Sequence, residues 1–238
     1  MRRLCILILL ASLALAAAGA GVDKGVAAYD RGDYATALRE LAPLAKKGDV
    51  AAQHNLGVMY ANGRGVPQDY VEALKWFRLA AEQGEAGAQF NLALMYDNGW
   101  GVPQNDADAL EWYRLAAEQG LADAQSNLGG SYERGQGVPR DYVEALKWFR
   151  LAAEQGYARA QHNLGVMYYN GQGVPQDYIQ AHMWWNLAAS RSEAAKDLED
   201  AIHHRDIVAA KMDAASIAEA QKRARDWTAA FEKRQRAQ

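Results

Sequence analysis

The hydrophobic and polar residues of this chain repeat with a period of 36 positions. Two sets of residues mark the period: Asn55, Asn91, Asn127 and Asn163, and Pro67, Pro103, Pro139 and Pro175. In each period, apolar residues first recur every four positions, as at Ala52, Leu56 and Tyr60, which predicts a helix, called helix A below. They then follow the spacing i, i+3, i+4, i+7, which predicts a second helix, helix B. Periods of this length are typical of solenoids, in which each unit buries its apolar face against the next.

Turn and capping residues separate the two predicted helices. Gly63 and Gly65 permit left-handed backbone angles, and Pro67 cannot continue a helix, so helix A ends before them. Asp69 and Glu72 stand at the spacing of a capping box and begin helix B. Each period therefore predicts a helical hairpin with an extended glycine-rich loop.

The two ends of the chain depart from the period. The segment AAYDRGDYATALRELAPLAKKG keeps the helix B register but lacks the five-residue G-x-G-V-P loop, which predicts a shorter hairpin over residues 21–48. After about residue 191, two amphipathic helices are expected, roughly 193–212 and 213–234. Such helices suit a cap that covers the last repeat.

The first twenty residues have the order of parts found in a secretory signal peptide. Arg2 and Arg3 precede an apolar run of about 15 residues, which ends in small residues at Ala20. A retained membrane anchor is the alternative, although the run is shorter than the roughly 20 residues of a spanning helix. Cleavage near Ala20 predicts a periplasmic or secreted protein, and it would remove Cys5, the one cysteine of the chain.

The repeated sequence AQHNLGVMYANGRGVPQDYVEALKWFRLAAEQG resembles the Sel1-like repeat, a relative of the tetratricopeptide repeat with a longer loop. The resemblance implies an all-α fold, a right-handed superhelical solenoid of helical hairpins with C-terminal capping helices. It also implies an adaptor or regulator that binds a protein or peptide partner in its concave groove, in bacteria often in the envelope. On this basis the chain divides into a signal peptide (1–20), a tetratricopeptide-like N-terminal unit (21–48), four Sel1-like repeats (49–84, 85–120, 121–156 and 157–191) and capping helices (192–238).

Charge and motifs argue against several other classes. Removal of Arg2 and Arg3 from the 26 basic residues leaves 24 against 29 acidic ones, a net charge of −5. A nucleic-acid surface needs a basic face, so no nucleic-acid partner is expected. Neither Ser-x-x-Lys nor Gly-x-Ser-x-Gly occurs, and the adjacent His203 and His204 would point about 100° apart on a helix. We therefore expect no catalytic site, no metal site and no cofactor.

Helix A positions that vary between copies are the expected partner-binding residues. At helical spacing they are His54, Phe90 and His162, then Asp97, Glu133 and Tyr169. The repeated asparagines Asn55, Asn91, Asn127 and Asn163 could bind a peptide backbone, because an amide both donates and accepts. We favour the alternative, in which each asparagine satisfies a loop group of its own hairpin. Trp100, at the loop apex, is either a packing residue or a partner anchor.

Three functional hypotheses remain at this point. The leading one is a non-enzymatic, exported scaffold that binds a protein or peptide partner. The second is a cell-wall-associated enzyme or a glycan- or β-lactam-binding protein, as in a disulfide-rich branch of the family, whose paired cysteines this sequence lacks. The third is a structural spacer in an envelope assembly. The sequence leaves the partner and the oligomeric state open.

Overall fold

A computed structural model describes residues 20–192 and 194–237. The predicted signal peptide lies outside the described residues, apart from Ala20. Helices make up the regular structure of the described chain: α1 (Ala20–Asp30), α2 (Tyr34–Lys46), α3 (Val50–Asn62), α4 (Tyr70–Glu82), α5 (Ala86–Asn98), α6 (Asp106–Glu118), α7 (Ala122–Arg134), α8 (Tyr142–Glu154), α9 (Ala158–Asn170), α10 (Tyr178–Arg191), α11 (Ala195–Ala209) and α12 (Ala214–Arg236). They form two compact units, one ending at Gln119 and one beginning at Gly120.

Each 36-residue period forms one hairpin of helix A and helix B. The helices A are α3, α5, α7 and α9, and the helices B are α4, α6, α8 and α10. Asp69 begins α4 as predicted, since its carboxylate accepts hydrogen bonds from the backbone N–H groups of Val71 and Glu72. Gly63 ends α3 with a left-handed φ of 65°. The predicted start and stop signals of these helices are confirmed.

A bulky side chain of helix B closes each hairpin against a glycine of helix A. A Cβ added at Gly57 would lie 2.7 Å from Cδ1 of Phe77, and one at Gly165 would lie 2.5 Å from Nε1 of Trp185. Phe77 is fully buried and Trp185 is 1 % exposed. The glycine thus allows the two helices of a hairpin to approach closely.

The second loop glycine packs against the preceding hairpin. A Cβ at Gly101 would lie 2.5 Å from the carbonyl oxygen of Tyr70, and one at Gly173 would lie 2.4 Å from that of Tyr142. Both glycines also have positive φ. In each unit, the second glycine of this loop therefore lies at a contact between successive hairpins, which leaves no room for a side chain.

The C-terminal unit ends in two helices that pack on α10. Val208 of α11 is buried in a cluster with Ala181 and Trp185. Ala224 of α12 joins the core that contains Trp184 and Leu187. The two helices begin and end close to the predicted limits, and they cover the last repeat.

Candidate interaction surface

Each helix A keeps a few residues along one edge that are at least partly exposed, and we call this edge the open strip. In the N-terminal unit it carries Asn55 and Asn62 on α3, and Leu94 and Asn98 on α5, all partly or fully exposed. In the C-terminal unit the corresponding residues are Asn127, Arg134, Asn163, Val166 and Asn170. The strip follows the helical spacing i, i+3, i+7 counted from each repeated asparagine, but it is interrupted, because Val58, Asn91 and Gly130 at this spacing are buried.

The first set of predicted partner-binding residues, His54, Phe90 and His162, does not lie on this strip. His54 packs on the ring of Phe77, with centroids 5.9 Å apart, and Phe90 packs on Tyr113 at the same distance. Phe90 is only 6 % exposed, and His162 contacts Trp185 and His204. The prediction that these residues face a partner is corrected here, because they fill the contact between helices A and B.

The second predicted set also turns towards neighbouring helices. Asp97 accepts a hydrogen bond from the hydroxyl of Tyr113 at 3.2 Å. Tyr169 stacks on Tyr178 and accepts a hydrogen bond from Lys211, in the turn between α11 and α12. Glu133 is half-buried, and desolvation raises the pKa of its carboxyl group while Arg134 opposes the shift.

The repeated asparagines have different surroundings in different copies. Asn55 donates from Nδ2 to the carbonyl of Ala51, one turn back in its own helix, at 2.8 Å. Asn91 is 6 % exposed, and its Nδ2 lies 2.9 Å from Nε2 of His54. Asn127 and Asn163 are partly exposed. In neither of the first two copies does the asparagine bind a loop group of its own hairpin, so that expectation was wrong for Asn55 and Asn91.

A second amide series, which the sequence analysis missed, is structural. Gln53 is 4 % exposed and donates to the carbonyl of Ala45 at 3.2 Å, while Gln83 donates to its Oε1 at 2.8 Å. Gln89 repeats the pattern, donating to Ala81 and accepting from Gln119 at 2.7 Å. The 36-residue recurrence of these glutamines was the signal that could have revealed them.

Trp100 packs on the preceding hairpin. Its ring stacks on Tyr70, with centroids 5.6 Å apart and an angle of 14° between the rings. Arg64 occupies the same loop position one repeat earlier, and its guanidinium lies over the rings of Tyr29 and Tyr34. The loop apex therefore contacts the start of the previous helix B, and Trp100 is only partly exposed.

Two small cavities occur in the C-terminal unit. One, of about 300 Å³, lies between α10 and α12, and one, of about 130 Å³, is lined by residues of α9 and α11, including Arg159, Asn163 and Asp200. In the described part of the chain, no three His, Cys, Asp or Glu side chains come together in a way that could hold a metal ion. Across residues 20–192 and 194–237, no helix has both the length and the apolar character needed to cross a bilayer.

Stacked helical hairpins with an open strip of amides define an all-α helical-repeat protein. The Sel1 repeat family model matches residues 50–85, 86–121, 122–157 and 158–192, and the chain belongs to this family. The resemblance inferred from the repeated sequence is thus confirmed, and so is the all-α solenoid class. Sel1 repeat proteins are generally protein-interaction scaffolds.

Solved structures support the same assignment. A Sel1 repeat protein from Oxalobacter formigenes is 32 % identical over 82 % of this chain and 84 % of its own, with a TM-score of 0.70. A protective antigen of uropathogenic Escherichia coli with an SLR fold is 28 % identical, with a TM-score of 0.69, over 90 % of this chain and 53 % of its own. This chain thus spans about half of that antigen. The comparison with curated proteins gives no match.

Proposed function

We propose that the protein is an exported, non-enzymatic scaffold that binds a segment of a protein partner along the open strips of its helices A. The observation that carries the proposal is the recurrence of exposed amides at the end of the strip, Asn98 on α5 and Asn170 on α9, beside the apolar Leu94 and Val166. An amide offers both a donor and an acceptor to a peptide backbone, and the apolar neighbours offer contacts to its side chains.

Arg134 adds a distinguishing charge to this surface. It takes the place of Asn62, Asn98 and Asn170 in the third repeat. A Cβ at Gly130 would lie 2.8 Å from its Nη1, so the glycine leaves room for the guanidinium to fold back over α7. We propose that this arginine favours partners with a carboxylate at the corresponding position.

Site-specific photocrosslinking tests the surface. A benzophenone amino acid at Asn98 or Asn170 should give discrete adducts with a partner in cells that produce the protein. Leu79 and Leu151, which are 45 % and 40 % exposed on helices B, provide matched controls. Adducts only from the helix B positions, or none from Asn98 and Asn170, would contradict the proposed surface.

Export is tested separately by the mass of the protein recovered from cell fractions. The proposal expects a periplasmic or secreted chain that lacks residues 1–20. Recovery of the chain with its N-terminal residues intact, in the cytoplasm, would contradict export while leaving the interaction surface open to the crosslinking test.

A further inference from the structure

Four of the five histidines of the chain lie where α11 packs on the last repeat. His162 is on α9, His182 is on α10, and His203 and His204 are on α11. The fifth, His54, lies in the N-terminal unit. The composition of this junction therefore differs from that of the repeats.

His182 replaces a leucine of the repeat. The corresponding residues of the other helices B are Leu74, Leu110 and Leu146. His182 is 3 % exposed, and its Nδ1 has no hydrogen-bond partner among the described residues. Arg205 and Asp206 of α11 are the charged groups that act on it. A packed leucine has thus become a group that can gain a charge next to an arginine.

His162 and His204 form a contact that tolerates a limited set of protonation states. Nε2 of His162 lies 3.2 Å from Nδ1 of His204, which also lies 2.8 Å from the carbonyl oxygen of Asp200. Because a carbonyl only accepts, Nδ1 of His204 carries the hydrogen, and Nε2 of His162 must accept. Protonation of His162 at Nε2 would bring two N–H groups face to face.

The N-terminal unit has the same contact in a form that can adapt. There, Nε2 of His54 lies 2.9 Å from the amide of Asn91, and its Nδ1 lies 3.3 Å from Oε2 of Glu85. An amide can rotate to present its oxygen, and although burial lowers the pKa of His54, the Glu85 carboxylate opposes this shift. His204 at the place of Asn91 offers neither adjustment.

We propose that α11 is a pH-sensitive latch, held on α9 and α10 by neutral His162 and His182 and released when they are protonated. Release would expose Trp185, whose ring stacks on His204 with centroids 5.3 Å apart, and Ala181 and Val208, which are fully buried. The inference does not depend on the proposed partner surface.

The charged groups around His162 and His182 shift the pKa values of these two histidines in both directions. Those that face them are Arg159 on α9, and Asp197, Asp200, His203, Arg205 and Asp206 on α11. Burial lowers the pKa of His162, and the neighbouring His204 lowers it further, while a hydrogen bond with Asn163 and the carboxylates of Asp200 and Asp197 oppose the shift. Burial also lowers the pKa of His182, with Arg205 adding to the shift and Asp206 opposing it.

The sign of the effect follows from these directions. A histidine whose pKa is lower in the folded state binds more protons when unfolded, so stability falls as the pH drops below the unfolded value of about 6.5. Stability provided by these contacts is complete above that pH and is lost through the interval down to the folded pKa.

Amide hydrogen exchange on the full chain tests the latch. Protection factors, corrected for intrinsic rates, should fall about tenfold for α11 between about pH 7.5 and about pH 5, and change less for α5, which carries the Asn91 contact. The double variant His182→Leu and His204→Asn introduces the leucine of the other helices B and the amide of the His54–Asn91 contact, and it should keep its α11 protection at the lower pH.

Two results would overturn the proposal: unchanged α11 protection in the wild-type chain, or an equal loss in the wild-type chain and the double variant. Far-UV circular dichroism at about pH 7.5 checks that the double variant is folded. If the double variant is not folded, the single variant His204→Asn is used instead. Protection of α11 at the lower pH that lies between the two wild-type values supports the latch, and protection equal to that of the wild-type chain contradicts it.

Discussion

The first Sel1 hairpin and the last one use the same positions for different neighbours. In the first, Gln83 donates to Gln53, so that the buried amide is satisfied. In the last, the residue equivalent to Gln83 is Arg191, and Oε1 of Gln161 has no partner among the described residues. Arg191 instead lies over the rings of Trp227 and Phe231 of α12, 5.0 and 4.3 Å from their centroids.

The outer face of helix B changes in the same way. Arg78 and Glu82 flank Leu79 in the first hairpin, whereas Asn186 and Ser190 flank Leu187 in the last. Leu79 is 45 % exposed and Leu187 is 2 % exposed. Loss of the two charges lets α12 lie on this face without burying an unpaired charge. The difference teaches that a cap can be built by changing a few outward positions of a repeat while its hairpin packing is kept.

Removal of the aromatic side chain that closes a hairpin should have the largest effect. Phe77→Ala and Trp185→Ala should each lower the free energy of unfolding by about 3–5 kcal/mol, because each leaves a large cavity. We expect the higher value for Trp185, whose Nε1 also donates to the carbonyl of His162 at 3.1 Å and whose ring stacks on His204.

Urea unfolding followed by circular dichroism measures both changes. Hydrogen exchange should show that Trp185→Ala also reduces the protection of α11. If both variants lost the same free energy of unfolding and α11 kept its protection, the cap would be held independently of the last hairpin. That result would contradict the proposed difference between the first and last hairpins.

Crowding of the helix A glycine should come next and should be similar in both regions. Gly57→Ala and Gly165→Ala should each destabilise by about 1–3 kcal/mol, since the new methyl group meets a packed ring and the core is overfilled. Gly84→Ala is the control, because no heavy atom lies within 4 Å of the added Cβ and only its left-handed φ of 90° is strained. Unequal costs at Gly57 and Gly165, measured by urea unfolding, would show that hairpin packing is not shared.

The sequence was sufficient to predict the hairpins but not the face that each helix A presents. Caps and glycines act locally, so Asp69, Gly63 and Gly84 could be assigned from their neighbours. Helix A packs on several sides: every residue of α3 is at least partly buried, and Phe90 and Leu92 of α5 are both buried. A helix that is buried on most sides has no polar face that would reveal its orientation. For this reason variation between copies was taken for partner contact when it reflected contact with helix B.

Removal of the residue that completes the buried amide pair should have a smaller effect. Gln83→Ala should destabilise by about 1–2 kcal/mol, because it leaves Oε1 of the buried Gln53 without its donor. Arg191→Ala should instead reduce hydrogen-exchange protection of α12, by removing a cation–π contact that contributes about 0.5–2 kcal/mol. Gln83→Ala should therefore change the free energy of unfolding but not the protection of α12, whereas Arg191→Ala should reduce the protection of α12. Loss of α12 protection in Gln83→Ala would contradict this difference between the two hairpins.

The smallest predicted effect separates the helix B caps of the two regions. Asp69→Ala should lower the free energy of unfolding by about 1 kcal/mol, because the carboxylate accepts from two N–H groups at the start of α4. Asp177 accepts from Gln180 alone among the described N–H groups of α10, so Asp177→Ala should cost less. Asp69→Asn is the matched control, since an amide oxygen can still accept, and an asparagine, Asn105, caps the equivalent helix α6 of the second Sel1 hairpin. If Asp69→Asn destabilised the chain in urea as much as Asp69→Ala, charge at the helix start rather than the cap hydrogen bonds would account for the effect.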